Sequence, residues 1–91
     1  QHMYQVHMTI SGKVQGVFFR QHIADIAHNL GITGWVRNTK EKVEAVLQGN
    51  KKDIEELITY CKKGPQDAQV REVKVTNQEV KEVFKTFKVV S

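Results

Sequence analysis

The order of strand-like and helix-like segments limits most strongly what this chain can fold into. Apolar residues recur at every second position over residues 4–10, as a half-buried strand requires. Helical spacing follows over residues 19–30. Residues 32–38 and 43–48 then read as two β-prone strands, and the polar stretch at 39–42 suits a hairpin between them.

The second helix has the clearest boundaries. Asn50 can cap its first turn, with Asp53 completing a variant of the capping box. Gly64 followed by Pro65 ends it. Between these signals runs an apolar stripe at helical spacing: Ile54, Leu57, Ile58 and Cys61.

The last part of the chain is less regular. A fourth strand is predicted at residues 68–75, and its inward-facing positions change parity between Val70 and Val73, which indicates a β-bulge. Residues 77–84 are ambiguous, and residues 87–89 read as a short final strand. The order βαββαβ predicts an α+β fold of the ferredoxin-like class, a sandwich with two helices on one face of an antiparallel sheet.

Length and composition indicate the setting. A chain of 91 residues suffices for one domain, so we expect a single domain over residues 1–91. One cysteine excludes an intrachain disulfide and favours a cytoplasmic location, where we expect a monomer. No apolar stretch reaches the length of about 18 residues typical of a membrane span. The net charge of +4 is dispersed, without the clustered basic stripe of a nucleic-acid-binding protein.

The connection between the first strand and the first helix carries the candidate chemistry. Gly12 and Gly16 allow its backbone to adopt positive φ angles. Such a loop at a helix N-terminus directs several N–H groups into one concavity, which can bind an anion. Arg20 places a cation in the first helical turn, where the helix dipole disfavours one, and a local rule broken in this way is typical of functional sites. Residues 12–42 also carry three more basic than acidic residues.

Structural alternatives stay open for two candidates. Arg20 can instead pair with Asp25 or lie in solvent. Asn38, at the end of the second strand, can hold a water or a substrate oxygen, or it can simply open the hairpin turn. Arg37 precedes Asn38 in the strand, so the two side chains should lie on opposite faces of the sheet.

Two motifs together resemble the acylphosphatase family. Residues 12–20 match the family pattern G-x-V-Q-G-V-x-F-R at every fixed position, and residues 34–38 match G-W-V-R-N. Further agreement extends in order over essentially the whole chain. The sequence departs from the family in the hairpin after Asn38, which is slightly short and lacks the usual glycine, and in the missing terminal aromatic or arginine.

The resemblance implies hydrolysis of the carboxyl–phosphate bond of acyl phosphates by in-line attack of water, without a metal or cofactor. The implied catalytic residues are Arg20, which binds the phosphoryl group, and Asn38, which orients the water. The implied phosphate-binding residues form one continuous run: Lys13, Val14, Gln15, Gly16, Val17, Phe18, Phe19 and Arg20. The implied partners are a small acyl phosphate and, as inhibitors, inorganic phosphate or sulfate.

Other functions fit the residues less well. His22 and His28 fall on opposite faces of the first helix, so no zinc site is expected, and Cys61 reads as a core thiol. RNA-recognition domains share the βαββαβ order but stack bases on aromatic residues, which the third strand lacks. The remaining alternatives are an accessory domain like that of hydrogenase-maturation carbamoyl transferases, and an inactive scaffold, against which the intact Arg20 and Asn38 argue.

Overall fold

A computed structural model describes residues 3–90 of the chain. Its strands and helices follow one another as β1 (Tyr4–Lys13), α1 (Phe19–Leu30), β2 (Thr33–Thr39), β3 (Lys42–Gly49), α2 (Lys51–Lys63), β4 (Gln69–Gln78) and β5 (Phe87–Val89). The five strands form one sheet in the order β4-β1-β3-β2-β5. The ferredoxin-like α+β class is confirmed. Within the described residues, no helix has the length and apolar character to cross a membrane.

The sheet differs from the prediction in the direction of its last strand. β1 to β4 pair antiparallel, but β5 lies parallel to β2, with Gly34 opposite Phe87, so the sheet is mixed. The ambiguous segment before β5 crosses from one edge of the sheet to the other. β4 and β5 run in opposite directions on opposite edges, so this segment passes along one end of the sheet to reach β5.

The core lies between the sheet and the two helices. The predicted stripes are confirmed, except that Ile26, Leu30 and Ile58 are only partly buried. Each fully buried large aliphatic side chain contributes about 1.5–3 kcal/mol of hydrophobic stabilisation. The core residues on the helices are Phe19, Ile23, Ala24, Ala27, Ile54, Leu57 and Cys61, and those on the sheet include Val6, Met8, Ile10, Val36, Val43, Ala45 and Leu47.

The predicted bulge in β4 lies opposite Ser11 and Gly12, near the end of β1. Ser11 pairs with Glu72 and Gly12 pairs with Val70, which leaves Arg71 as the extra residue. Gly12 has a φ of 127°, and a Cβ atom there would lie 2.1 Å from the carbonyl oxygen of Gln69. Only glycine can occupy this position, so the β1–β4 pairing at the start of the following loop depends on Gly12.

A buried glutamine on the other face of the sheet holds the segment that leads into β5. Gln48 is fully buried, and its Nε2 donates to the carbonyl oxygen of Glu82 and to Oε1 of Gln5, both at 2.8 Å. Its Oε1 accepts from the backbone N–H of Phe84 at 2.9 Å. These hydrogen bonds fix the crossing segment and therefore position β5, which borders the site described next.

Candidate active site

A cleft of about 460 Å³ lies where the β1–α1 loop meets β2 and β5. It brings together Arg20 and Asn38, which the sequence places in different elements. A larger cleft of about 760 Å³, between Trp35 and residues 82–86, contains neither of them. The lining of the smaller cleft, the active-site cleft below, is Val14, Gly16, Phe18, Phe19, Arg20, Gln21, Asn38 and Val89.

The loop of residues 14–18, here the anion loop, has a backbone suited to surround an anion. Gly16 (φ 74°) and Phe18 (φ 61°) lie in the left-handed region, whereas Val17 between them has a negative φ. Such alternation curves the chain so that successive N–H groups face one concavity. Within residues 3–90, the amides of residues 15–18 donate to no backbone carbonyl or side chain. They are available to a ligand.

The start of α1 lacks the groups that usually satisfy a helix N-terminus. Phe18 occupies the N-cap position and makes no side-chain capping bond, and the first turn contains no acidic residue. A left-handed conformation costs a residue other than glycine about 1–2 kcal/mol. Strain of this size persists in proteins mainly at functional sites.

Arg20 adds a positive charge beside these amides. Its Nη1 donates to the carbonyl oxygen of Val90 at 3.4 Å, and within residues 3–90 it forms no ion pair. The alternative that Arg20 pairs with Asp25 is therefore wrong: Asp25 accepts instead from Nε2 of Gln21 at 3.0 Å. The guanidinium remains free to bind an anion bidentately.

Asn38 faces the active-site cleft from β2. The predicted opposite orientation of Arg37 is confirmed, because Arg37 lines the larger cleft, stacks on Trp35 at 5.3 Å and donates from Nε to Oε1 of Glu44 at 2.7 Å. The Oδ1 atom of Asn38 is buried and accepts no hydrogen bond from any residue in the described range. A buried unpaired acceptor costs about 1–3 kcal/mol, so a donor entering the cleft would be held there.

Gln15 connects the anion loop to the hairpin that follows Asn38. Its Nε2 donates to the carbonyl oxygens of Lys42 at 2.9 Å and of Thr39 at 3.4 Å. Sequence reasoning did not find this role, since both partners lie more than twenty residues away along the chain. The contact holds the two halves of the site at a fixed separation.

The expected phosphate-binding run divides into two groups. Val14, Gly16, Phe18, Phe19 and Arg20 line the cleft, whereas Lys13, Gln15 and Val17 do not. Lys13 is exposed at the end of β1, and Val17 packs against the core. The side chains of Gln15 and Val17 are engaged elsewhere, so a ligand in the cleft would meet these two residues through their backbone amides.

The acylphosphatase family model matches residues 6–89. The chain belongs to the acylphosphatase family. It is 45% identical over 87 residues to an acylphosphatase of Pyrobaculum islandicum, covering 93% of this chain and 92% of that relative. The resemblance inferred from the two motifs is thereby confirmed, together with the expectation of an acylphosphatase hydrolase.

Solved structures agree with this acylphosphatase assignment. An acylphosphatase from Coxiella burnetii superimposes with a TM-score of 0.92 at 38% identity, over 97% of this chain and 93% of that one. A structure of full-length HypF in the phosphate- and nucleotide-bound form also matches, with a TM-score of 0.92 and 34% identity. That match covers 99% of this chain but 12% of the HypF chain, so the same fold also occurs as a small part of a larger protein.

The one cysteine, Cys61, is buried in the core and does not line the cleft, so it is not a candidate nucleophile. Burial raises the pKa of the Cys61 thiol to about 12, so the thiol stays protonated near neutral pH inside the core. Over residues 3–90, no three His, Cys, Asp or Glu side chains come together as potential metal ligands. The polar side chains that line the cleft are the guanidinium of Arg20 and the carboxamides of Gln21 and Asn38.

Proposed function

We propose that the anion loop and Arg20 hold the phosphoryl group of an acyl phosphate, while Asn38 orients the water that attacks it. One observation carries the proposal: Arg20, which has no ionic partner among residues 3–90, lines the same cleft as Asn38, whose buried carboxamide oxygen has no hydrogen-bond partner there. An anion satisfies the first, and a water molecule that reaches the oxygen satisfies the second.

The chemistry needs little more than this positioning. A carboxylate is a good leaving group, so the enzyme mainly places a water in line and stabilises charge on the phosphoryl oxygens. A new bond forms between the water oxygen and phosphorus as the bond from phosphorus to the acyl oxygen breaks. The proton of the water passes to a phosphoryl or departing carboxylate oxygen, so no general base is needed. The products are a carboxylate and inorganic phosphate.

The wider setting of the enzyme is also a proposal. We place it in the cytoplasm as a monomer in which residues 1–91 act as a single domain, without nucleic-acid partners. The free thiol of Cys61 fits a reducing compartment. Inorganic phosphate and sulfate should inhibit competitively, since each carries tetrahedral oxygens that the anion loop and Arg20 can bind.

The first test is release of inorganic phosphate from acetyl phosphate in excess EDTA. The proposal predicts that turnover is unchanged by the chelator. Loss of turnover on chelation, with recovery on adding a divalent ion, would show that the metal-free mechanism is wrong.

The second test concerns Asn38. Asn38→Ala should lower kcat by about 10²–10³-fold, the loss typical of one preorganised polar group, and leave KM nearly unchanged. Asn29→Ala, which removes an exposed asparagine of α1, is the matched control and should retain wild-type kinetics. A near-normal kcat in Asn38→Ala would show that Asn38 does not orient the water and only opens the hairpin.

A further inference from the structure

Two exposed apolar side chains line the active-site cleft. Phe18 belongs to the anion loop and is 78% exposed, and Val89 belongs to β5 and is 42% exposed. Phe18 is the most exposed of the large hydrophobic residues within residues 3–90. Since the fold does not use the phenyl ring for packing, its presence at the cleft requires another reason.

Position 18 is unfavourable for phenylalanine on three separate grounds. The backbone there is left-handed, a conformation that glycine or asparagine adopts more readily. The position is also a helix N-cap, where asparagine, aspartate or serine would bond the free amides. The ring is left in water although burial would stabilise it. Local rules broken together in this way mark functional positions.

The substrate supplies that reason. The phosphoryl group occupies the amides and Arg20, and the attacking water takes Asn38, so the polar groups of the cleft are already engaged. The side chain of Gln21 bonds Asp25. Phe18 and Val89 are then the exposed surfaces left to meet the acyl group, and both are apolar.

We infer that Phe18 and Val89 form the acyl-binding part of the site and select acyl phosphates whose acyl group is aromatic or otherwise apolar. This inference rests on the proposed function, because it assigns the other half of the same substrate. Phe18 acts here through its side chain, whereas its amide belongs to the anion loop.

The test compares kcat/KM for benzoyl phosphate and acetyl phosphate in each variant, so that differences in intrinsic reactivity between the substrates cancel. The wild type should prefer benzoyl phosphate. Phe18→Gly tolerates the left-handed backbone and removes the ring without adding a capping group, and it should lower the benzoyl-to-acetyl ratio about tenfold, within the range of 10–200-fold typical of lost apolar contacts. Phe18→Leu should give an intermediate ratio. Val89→Thr, which keeps the shape of the side chain, should lower the ratio severalfold.

A matched control comes from another exposed valine. Val83 is 64% exposed and lines the larger cleft, so Val83→Thr should leave the ratio and both activities unchanged. If the wild type hydrolyses both substrates and neither Phe18→Gly nor Val89→Thr alters the ratio, the acyl-binding role is wrong and the proposed function stands. If the wild type hydrolyses neither substrate, the proposed function fails and the acyl-binding role fails with it.

Discussion

The two helices of this molecule begin in opposite ways. α2 starts at Asn50, whose Oδ1 accepts from the backbone N–H of Asp53 at 2.8 Å, and Asp53 also puts an acid in the first turn. α1 starts at Phe18, a left-handed residue without a capping bond, and its first turn holds Arg20 where an acid would be favourable. Both helices pack on the same face of the sheet, so burial does not explain the difference.

The difference separates stability from function. At α2 the side chain of Asn50 accepts from one of the free amides, and an N-cap of this kind contributes about 0.5–2 kcal/mol to stability. At α1 no side chain caps the first turn, and we propose that its amides and Arg20 bind a ligand instead. An end that binds phosphate must stay without an internal anion, because such a group would compete with the substrate for the same donors. The following changes test this contrast.

The largest effect is expected from the cation at the start of α1. Arg20→Ala should reduce kcat/KM by about 10³-fold or more, since a positioned arginine stabilises the charge of phosphoryl transfer. Arg20→Lys should recover little of the loss, because an ammonium cannot form the bidentate contact. Steady-state kinetics with acetyl phosphate measure both. Arg71→Ala, at the exposed bulge of β4, should behave as wild type. Full activity in Arg20→Lys would mean that charge alone matters.

Substitutions at Gly16 and Gly31 distinguish an effect on the shape of the anion loop from an effect on the stability of the fold. Gly16 and Gly31 have φ angles of 74° and 73°, and a Cβ atom at either would meet nothing within 4 Å. Valine at either position therefore imposes mainly a backbone penalty, of at least about 1–2 kcal/mol. Chemical denaturation should show a similar loss of stability in Gly16→Val and Gly31→Val. Only Gly16→Val should also lose phosphate affinity, measured by calorimetry. Equal phosphate affinity in the two variants would show that the curvature of the anion loop is dispensable.

The smallest effect is expected at the start of α2. Asn50→Ala should lower the free energy of unfolding by about 1 kcal/mol, the usual value for a lost N-cap, and leave kcat and KM unchanged. Denaturant titration and the acetyl phosphate assay give the two quantities. A change in turnover without a change in stability would show that the start of α2 contributes to activity, which contradicts the proposed difference between the two helices.

Local signals were sufficient for much of the fold and for the choice of site residues. Asn50, the apolar stripe of α2 and the parity change between Val70 and Val73 each act over a few residues, and the structure contains the cap, the buried face and the bulge that they predict. The two local motifs also supply Arg20 and Asn38, which the fold places in one cleft.

Other features depend on contacts between distant residues or on departures from local preference. β5 has only three residues, which give no signal for its parallel pairing with β2. The hydrogen bonds from Gln15 to the hairpin join segments far apart in sequence. Phenylalanine rarely adopts the left-handed region, so the sequence does not predict the backbone conformation of Phe18.

Binding of the phosphoryl group at the start of α1, and not at that of α2, can be measured by a phosphate titration followed by ¹⁵N–¹H NMR. We expect saturable shifts of the backbone amides of residues 15–20 and of the side-chain amide of Asn38. The amides of residues 51–53 should not move, and Arg20→Ala should abolish or strongly weaken the response. Equal shifts at the two helix starts, or none at residues 15–20 at saturating phosphate, would contradict this expectation.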